Sequence, residues 1–262
     1  MRALRTAATG MEAQQLNVEV ISNNIANMNT VGFKKQRAEF QDLLYESLVR
    51  PGAQSSDAGT VVPTGVQVGS GVKAGSTYRI LTQGSATRTD NKLDVMIQGK
   101  GYLQVLMPSG ETAYTRAGNL SVNDQGQLCT PDGYLIQPSI TIPADATDVA
   151  ISASGQVQVT QPGASAPNQV GQLQLATFLN EGGLEALGSN LFAESGASGA
   201  ATIGTPGDIG VGKLLQGYTE ASNVDAVTEI SALIVAQRAY EMNSKVITAA
   251  DDMLQATAQL KS

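Results

Sequence analysis

Several residue types on which enzyme chemistry depends are missing or scarce in this chain. It has no histidine, which removes the commonest general base near neutral pH, imidazole metal ligands and the usual serine and cysteine triads. Cys129 is the single cysteine, so an intrachain disulfide, a cysteine-rich zinc cluster and a CxxC pair are excluded, and we expect a partly buried, unreactive thiol. Aromatic residues make up only 4% of the chain and glycines number 28, a composition that favours turn-rich β-structure.

Long apolar runs and a basic surface are also missing. No stretch of about 18 apolar residues is present for a membrane span, and the opening MRALRTAATG lacks the apolar core of a signal peptide. We therefore expect no membrane insertion, and either a cytoplasmic protein or export without a cleaved signal. The net charge of −7 argues against nucleic-acid binding. The short basic cluster Lys34, Lys35 and Arg37 is interpreted as a solvated face, because acidic residues follow it closely.

Both ends of the chain repeat apolar residues at helical spacing. At the N-terminus, alternating steps of three and four residues give a heptad seam with one polar member, Gln14. The C-terminal seam is longer, and Ser222 with Asp225 is interpreted as a capping box that opens a helix of about 38 residues. The packing residues predicted at the N-terminus are Leu4, Met11, Val18, Ile21, Ile25 and Met28, and those at the C-terminus are Val235, Ala239, Met242, Val246, Ala249, Met253 and Leu260.

A second apolar stripe adjoins the first on the C-terminal helix. Its apolar surface is therefore wider than a two-stranded seam covers. Because the chain has only one other long helix to pack against it, the surplus predicts contacts with further copies of the chain. An intramolecular helix pair resting on the middle of the chain is the alternative. The second stripe consists of Leu233, Ala236, Tyr240, Ile247, Ala250 and Leu254.

The middle of the chain, from about Val66 to Tyr218, alternates short strand-like runs with turn residues. Hairpins are predicted around Asp124-Gln125-Gly126 and Ala153-Ser154-Gly155, and a flexible surface loop is predicted at 196–207. The pattern indicates a compact antiparallel β-domain.

The acidic residues and glycine loops of this middle region form no recognisable chemical site. Asn123, Asp124 and Asp132 lack the spacing of an EF-hand, and turn chemistry accounts for them. Gly99-Lys100-Gly101 lacks the full phosphate-loop pattern, and strand-like sequence follows it where a helix should begin. We therefore predict no catalytic residue, no cofactor and no metal.

Asparagines crowd the end of the N-terminal helix, in the stretch NNIANMNTVGFKK. Asn27 and Gly32 tolerate the left-handed backbone that ends a helix and turns the chain. Asn23 and Asn24 lie in the last helical turns, where their amides are expected to bond neighbouring backbone rather than water. Phe33 is expected to anchor the turn against the helix pair. Together these residues predict a specified elbow that leads the chain out of the helical layer.

The two ends and the middle of the chain resemble one protein family. Asn23-Asn24-Ile25-Ala26-Asn27 and the residues that follow resemble the N-terminal signature of the bacterial flagellar rod and hook proteins. Residues 217–254 are similar to the matching C-terminal signature, and residues 93–105 and 113–138 resemble the β-domain of that family. The resemblance covers nearly the whole chain in the correct order. Its elbow motif consists of Asn23, Asn24, Asn27, Thr30, Gly32, Phe33 and Lys34.

Residues 50–73 resemble the segment characteristic of the distal-rod members of this family, whereas a hook protein carries a larger middle. The segment contains two prolines and several glycines, so it is no regular helix and is expected to lie extended against neighbouring subunits. The resemblance implies that this segment stiffens the assembly into a straight rod. The residues assigned to it are Arg50, Pro51, Gln54, Pro63 and Gly65.

The family resemblance implies a structural subunit of the distal rod that self-assembles into a rigid, hollow helical drive shaft. Such a shaft transmits torque from motor to hook and encloses the export channel. The implied partners are copies of the chain, the proximal rod proteins, the hook protein, the surrounding P- and L-ring bushing and the flagellar type III export apparatus. The implied place is the periplasmic rod of the basal body. A proximal rod or hook-type adaptor and a periplasmic or surface β-domain enzyme are the alternatives.

The predicted fold class is α+β. Long N- and C-terminal helices pair in a coiled-coil-like layer, a central domain is mainly antiparallel β-structure, and an extended segment links them. The predicted boundaries are 1–30 with 222–262 for the helical domain, 31–65 for the elbow and linking segment, and 66–221 for the β-domain.

Overall fold

The chain forms two compact units in the computed structural model, which describes residues 2–52, 64–163 and 166–260. The first unit, here called the helical unit, comprises Met1–Ala26, Gln36–Tyr78 and Asp225–Ser262. The second, called the β-unit, comprises Asn27–Lys35 and Arg79–Val224. Terminal helices packed together and a mainly antiparallel β-unit confirm the α+β class.

This division of the chain differs from the boundaries expected from the sequence in two places. Residues 27–35, which contain most of the predicted elbow, belong to the β-unit. Residues 66–78, which were expected in the β-domain, belong to the helical unit because their strands pair with strands from 36–49. Each unit is therefore built from pieces that are far apart in the sequence.

Two antiparallel helices, α1 (Arg2–Ala26) and α2 (Ala226–Leu260), pack against each other in the helical unit. Gly10 faces Asn243, whereas Asn24 at the other end of α1 bonds Glu229 near the start of α2. With 35 residues against 25, α2 continues past the beginning of α1. Residues 251–259 are accordingly all exposed.

The C-terminal end of α1 and the N-terminal end of α2 both differ from the predicted helix ends. Helix α1 ends at Ala26, so Met28 lies beyond it and is 41% exposed rather than part of a packed seam. Helix α2 begins at Ala226, and the Asp225 carboxylate accepts a hydrogen bond of 2.8 Å from the Thr228 amide. That bond spans from N-cap to N3, so the predicted capping box at Ser222 is wrong and Asp225 caps the helix. The Ser222 hydroxyl instead accepts from the Val224 amide at 3.3 Å.

Short strands complete the helical unit. Strand β1 pairs with β4, and β2 pairs with β3 in antiparallel register, with Tyr45 opposite Gly69. Every residue of β2 is exposed. These strands are β1 (Gln36–Asp42), β2 (Tyr45–Val49), β3 (Val66–Gly69) and β4 (Val72–Arg79), of which the final residue, Arg79, belongs to the β-unit.

The β-unit consists of short strands and one 3-10 turn, Glu181–Gly183. The strands are β5 (Ala86–Arg88), β6 (Val95–Gln98), β7 (Tyr102–Leu106), β8 (Thr112–Thr115), β9 (Ser121–Val122), β10 (Leu128–Cys129), β11 (Leu135–Gln137), β12 (Asp148–Ile151), β13 (Gln156–Thr160), β14 (Asn168–Gln172), β15 (Leu175–Thr177), β16 (Glu185–Gly188), β17 (Leu191–Ala193), β18 (Thr202–Gly204), β19 (Lys213–Gln216) and β20 (Tyr218–Glu220). The main sheet has the order β16-β17-β8-β7-β11-β10-β9; β15 joins it through β7, and β18 pairs with β15. Smaller sheets are β12-β13-β14, β19-β6 and β20-β5.

The β-unit contains a large aliphatic core and a smaller buried cluster around Tyr102, Tyr114 and Phe178. Val95, Ile97, Leu103, Val105 and Leu175 are completely buried in the aliphatic core. Burying each such side chain is worth about 1.5–3 kcal/mol relative to leaving it exposed. The alternation of apolar residues along these strands therefore supplies the main stabilising contribution of the unit.

The predicted hairpins are confirmed, and the predicted loop is corrected. Antiparallel pairs β9-β10 and β12-β13 flank the turns at 124–126 and 153–155. In contrast, residues 196–207 are not wholly a surface loop, since β18 within them pairs with β15 and Ser198 is buried. Cys129 is a buried free thiol whose pKa is raised by that burial, which agrees with an unreactive group.

Candidate functional site

Most of the predicted packing residues of α2 are exposed on the described chain. Val235, Met242, Val246 and Met253 have exposed fractions of 67%, 61%, 47% and 64%. We call these four residues the outer stripe. Ala249 is exposed too and Ala239 is half-buried, whereas the side chain of Leu260 lies outside the description. An apolar row of this length on a single helix is typical of a surface that another helix or subunit covers.

Most of the second stripe of α2 faces inward. Ala236 is 1% exposed and Ala250 is 7% exposed, and Leu233 and Ile247 are half-buried, whereas Tyr240 and Leu254 are 43% and 42% exposed. These residues lie about a quarter turn from the outer stripe, at 100° per residue. Helix α1 thus covers one of the two apolar stripes of α2, and the outer stripe has no cover within the described part of the chain.

The packing residues of α1 are better covered. Ile21 is buried and Leu4, Met11, Val18 and Ile25 are half-buried. Two further buried residues, Ala13 and Val20, lie off the predicted heptad seam. Small residues also matter here, because a Cβ added to Gly10 would lie 2.9 Å from Asn243 Nδ2. The close approach of the two helices at this point requires glycine or a shift of that amide.

Asn24 connects three elements of the helical unit. Its Nδ2 donates to the Gln36 carbonyl at 2.8 Å and to Glu229 Oε2 at 3.1 Å, and its Oδ1 accepts from the Gln36 amide at 2.8 Å. The side chain is 1% exposed. The expectation that Asn24 bonds backbone rather than water is therefore confirmed. The link to Glu229 in α2 adds a contact that sequence periodicity did not indicate.

The elbow is a tight turn whose polar side chains close on its own backbone. The Thr30 amide donates to the Asn27 carbonyl at 3.2 Å, and the Thr30 hydroxyl donates to Asn27 Oδ1 at 3.1 Å. Gly32 has φ +71°, and a Cβ there would lie 3.0 Å from the Ala117 amide nitrogen. Only glycine satisfies both the backbone conformation and the contact. Phe33 is half-buried, and its anchoring against the helix pair stays a prediction.

A buried ionic cluster of Lys34, Arg116 and Glu220 lies at the C-terminal end of the elbow. Glu220, at the end of β20, accepts from Lys34 Nζ at 2.5 Å, from Arg116 Nε at 2.6 Å and from the Gly84 amide at 2.9 Å. The Glu220 carbonyl also accepts from the Gly32 amide at 2.8 Å. The three side chains of the cluster are 4%, 6% and 1% exposed for Lys34, Arg116 and Glu220. The prediction of a solvated face is therefore wrong for Lys34, because a partner distant in sequence takes it into the interior.

Burial and its partner act on Lys34 in opposite directions. Desolvation lowers the pKa of the Lys34 ammonium, and the hydrogen bond and charge of Glu220 raise it, with burial the larger effect. Arg116 spreads its remaining donors over the carbonyls of Gly99 and Gly101, at 2.7 and 3.0 Å. All buried side-chain nitrogens and oxygens in the described residues have a hydrogen-bond partner. The buried charges of the cluster are therefore all hydrogen-bonded within the β-unit.

Asn223 ties the elbow to the chain just before α2. Its Oδ1 accepts from the Lys35 amide at 2.7 Å, and its Nδ2 donates to the Ile80 carbonyl at 2.8 Å. Neither Asn223 nor Glu220, Arg116 and Glu229 was singled out from the sequence. No local signal marks them, since the Lys34 and Glu220 partners are 186 residues apart.

The predicted stiffening segment is only partly within the described residues. Arg50 and Pro51 are exposed at the end of β2, and Gly65 is half-buried just before β3. Gln54 and Pro63 lie outside the described residues.

Two kinds of feature, metal-ligand clusters and membrane-spanning helices, are absent from the described residues. Within 2–52, 64–163 and 166–260, no group of three or more cysteine and acidic side chains is placed to hold a metal ion. Across the same ranges, none of the helices is sufficiently long and apolar to cross a bilayer. What the geometry presents is an exposed helix stripe and a rigid elbow.

Three family profiles match consecutive parts of the chain. Residues 4–34 match "Flagella basal body rod protein", residues 96–159 match "Flagellar hook protein FlgE/F/G D1 domain", and residues 215–260 match "Flagellar basal body rod FlgEFG protein C-terminal". A flagellar basal-body rod protein FlgG of Caulobacter vibrioides is 72% identical over 262 residues, which cover 100% of both chains. The chain belongs to the flagellar basal-body rod protein family.

Other relatives in this rod protein family are similar over the same length. The FlgG protein of Agrobacterium fabrum is 52% identical over 253 residues, which cover 97% of each chain. That of Bacillus subtilis is 39% identical over 266 residues, which cover 100% of this chain and 99% of the relative. As a member of the rod protein family, the chain is a structural protein of the basal-body rod that assembles with other rod and hook components.

Proposed function

We propose that this rod family protein is a distal-rod subunit that self-assembles into a rigid, hollow helical shaft. The shaft transmits torque from motor to hook and encloses the channel through which later subunits are exported. The observation that carries the proposal is the outer stripe of α2, an apolar row left exposed on a helix that runs past its own partner. The high identity to rod proteins named FlgG, over their full length, supports the distal position.

The helical ends suit a polymer better than a closed oligomer. In the contact we propose, the outer stripe of one copy packs on a different surface of a second copy, so the contact is heterologous. Heterologous contacts of this kind give open helical filaments when the rotation between subunits does not close a ring. The role needs no chemical step in this chain.

The same proposal also implies which other flagellar components the shaft contacts. The shaft passes through the P- and L-ring bushing, joins the proximal rod proteins below and the hook protein above, and receives its subunits from the flagellar type III export apparatus. The helical ends fold fully only on polymerisation, because burying the outer stripe then offsets the entropy of ordering them.

Electron microscopy of the purified full chain tests the proposal. Concentrated wild-type protein is expected to form straight tubes, and Val246→Asp is expected to form none, because a carboxylate in the outer stripe cannot be buried there without a partner. In dilute protein, the near-UV circular dichroism of the tyrosines, four of which lie in the β-unit, should be unchanged. Ser244→Asp is the matched control, since Ser244 is exposed on α2 outside the stripe, and it should still form tubes.

Two results would overturn this proposal. Tubes at normal yield from Val246→Asp would remove the outer stripe as a packing surface. A wild-type chain that stays monomeric at every concentration, even when seeded with isolated rods, would place the chain among adaptors that act in few copies.

The stiffening role proposed for residues 50–73 has a separate test. A chain that lacks residues 53–63 keeps β2 and β3 and should still polymerise through its helices. Its tubes are expected to be curved, as in a hook, rather than straight. Straight tubes from the shortened chain would show that stiffness resides elsewhere.

A further inference from the structure

A groove of about 530 Å³ runs along the helical unit between α1 and the strands beside it. Its floor is apolar and comes from both sides, with Leu16 of α1 opposite Val72 of β4 and Leu43. Two acidic residues of α1, Glu12 and Glu19, line one edge and are exposed. Ala13, which is buried, closes the floor between them. The groove therefore offers an apolar track with negative charge along one side.

The two glutamates repeat at a helical period. They are seven residues apart on α1, which places them on one face about 10.5 Å from each other along the axis. Glu12 forms no salt bridge or hydrogen bond with any described residue, and Glu19 accepts only from Gln15, at 3.1 Å, among those residues. Both carboxylates are thus available to a cation that approaches from outside.

Helix α2 carries the opposite pattern on its outer surface. Arg238 and Lys245 are also seven residues apart, exposed, and without a salt bridge to any described residue. They lie along one side of the outer stripe, next to Val235, Met242 and Val246. This face therefore presents an apolar row beside two cations. The cations are about 10.5 Å apart along the helix axis, which is also the spacing of the two glutamates in the groove.

We propose that the outer stripe of one copy docks in the α1 groove of a second copy, where Arg238 and Lys245 pair with Glu12 and Glu19. The apolar residues of the stripe then cover Leu16, Leu43 and Val72. The single cation of the groove lining, Lys73, fits the same arrangement because Glu241 stands between the two cations of α2. This inference rests on the proposed function and names the two surfaces that join its subunits.

The occupant is a second copy rather than the same chain. Arg238 and Lys245 are exposed on a side of α2 that does not face its own α1, whose contact is with Ala236 and Ala250. The groove and the stripe are thus two complementary surfaces of one subunit. A contact between them is heterologous and can repeat from copy to copy without limit. Charge complementarity fixes which surfaces meet, and apolar burial provides the affinity.

Charge reversal on either surface tests the pairing in the full-length protein. The groove variant is Glu12→Lys with Glu19→Lys, and the stripe variant is Arg238→Glu with Lys245→Glu. In each variant both surfaces carry the same sign, so each should raise the concentration needed for polymerisation by about tenfold. In an equimolar mixture the basic groove of the first meets the acidic stripe of the second, and the second's native groove meets the first's native stripe. The mixture should therefore polymerise near the wild-type concentration.

A control separates pairing from net charge. Glu111→Lys with Glu185→Lys places the same change of charge as the groove variant on exposed positions of the β-unit and should leave the polymerisation concentration within about twofold of wild type. Far-UV circular dichroism checks that each variant retains its helices.

The outcomes distinguish this inference from the proposed function. If each variant polymerises like wild type, the pairing is overturned while self-assembly stands. If the separate variants fail and the mixture fails as well, the charges are needed but are not partners, which also overturns the pairing. A wild-type chain that forms no polymer overturns the proposed function, and the contact with it. Recovery in the mixture alone supports the pairing.

Discussion

At the scale of single residues, Glu220 joins parts of the β-unit that are distant in sequence. Its two carboxylate oxygens receive a lysine from the elbow, an arginine from the segment after β8 and a backbone amide. Because two cations share one carboxylate, removing the anion leaves more uncompensated buried charge than removing either cation. The order of these effects is therefore predictable.

We expect Glu220→Gln to destabilise the β-unit by about 3–5 kcal/mol, since it leaves Lys34 and Arg116 buried without an anion. Lys34→Met should cost less, about 1–3 kcal/mol, because Glu220 keeps Arg116 and the Gly84 amide. Denaturant unfolding followed by the near-UV circular dichroism of tyrosine measures both. Equal costs, or a larger cost for Lys34→Met, would contradict the shared-anion description.

Tyr102 provides a prediction about pH. Burial raises the pKa of its hydroxyl, and the Glu181 carboxylate, which accepts its hydrogen bond at 3.1 Å, adds to the effect. Above about pH 10 the unfolded chain loses this proton and the folded chain keeps it, so stability falls as the pH rises. Tyr102→Phe removes the proton and should lower stability by about 1 kcal/mol at pH 9 through the lost hydrogen bond.

Between pH 9 and pH 11 the melting temperature of wild type should therefore fall more than that of Tyr102→Phe. Other groups, including Lys34, titrate alike in both proteins, so the difference between them isolates Tyr102. Parallel curves for the two proteins would show that this hydroxyl does not titrate differently on folding.

At the scale of elements, the two long helices are joined at one end by polar contacts and along their length by small residues. Asn24 bonds both β1 and α2, and Glu229 brings a buried carboxylate to the same point. Further along the helices, the small residues Gly10, Ala236 and Ala250 allow α1 and α2 to approach each other closely. This arrangement fixes the register of α2, and the register decides which of its stripes remains exposed.

The start of α2 depends on Asp225, and its replacement tests that assignment. Asp225→Ala should destabilise the helical unit by about 0.5–2 kcal/mol through the loss of the N-cap hydrogen bond to Thr228. Asp225→Asn retains an acceptor and should cost little, and Ser222→Ala should also cost little. The change in far-UV circular dichroism on heating measures all three. A larger effect at Ser222 than at Asp225 would restore the rejected capping box.

At the scale of the whole molecule, α2 extends beyond its partner. Residues 251–259 are exposed in the single chain, so their backbone hydrogen bonds have little apolar cover. In a polymer in which another copy covers the outer stripe, the same residues become protected. The free chain and the assembled rod should therefore differ most at this end.

Hydrogen exchange measures that difference. Amides of residues 251–259 should exchange rapidly in the monomer and slow by about 100-fold or more in polymerised protein. The core strands of the β-unit, such as β7, should exchange at similar slow rates in both states and serve as the internal reference. Equal protection of residues 251–259 in the two states would contradict burial of the C-terminal end of the outer stripe, at Met253, on assembly.

Much of the fold follows from patterns that are local in the sequence. Apolar residues at steps of three and four predicted both helices, and alternation around Asp124-Gln125-Gly126 predicted a hairpin that is present. Gly32 predicted the elbow, because it adopts the left-handed backbone at φ +71°. The left-handed backbone expected of Asn27 is wrong, since Asn27 instead accepts a hydrogen bond from the Thr30 hydroxyl. The boundary at Ser222 failed, since Ser222 and Asp225 are both good N-caps and the choice between them depends on where the chain leaves β20.

The sequence by itself determined two long amphipathic helices, a β-rich middle, a turn between them and a family, because periodicity and signature residues are properties of short segments. The tertiary structure decided which stripe of α2 is covered, that the elbow belongs to the β-unit, and that Lys34 is buried. Each of these outcomes depends on partners far along the chain. A lysine enters the interior here because folding brings the Glu220 carboxylate and the Thr82 carbonyl to its ammonium, and both partners are distant in sequence.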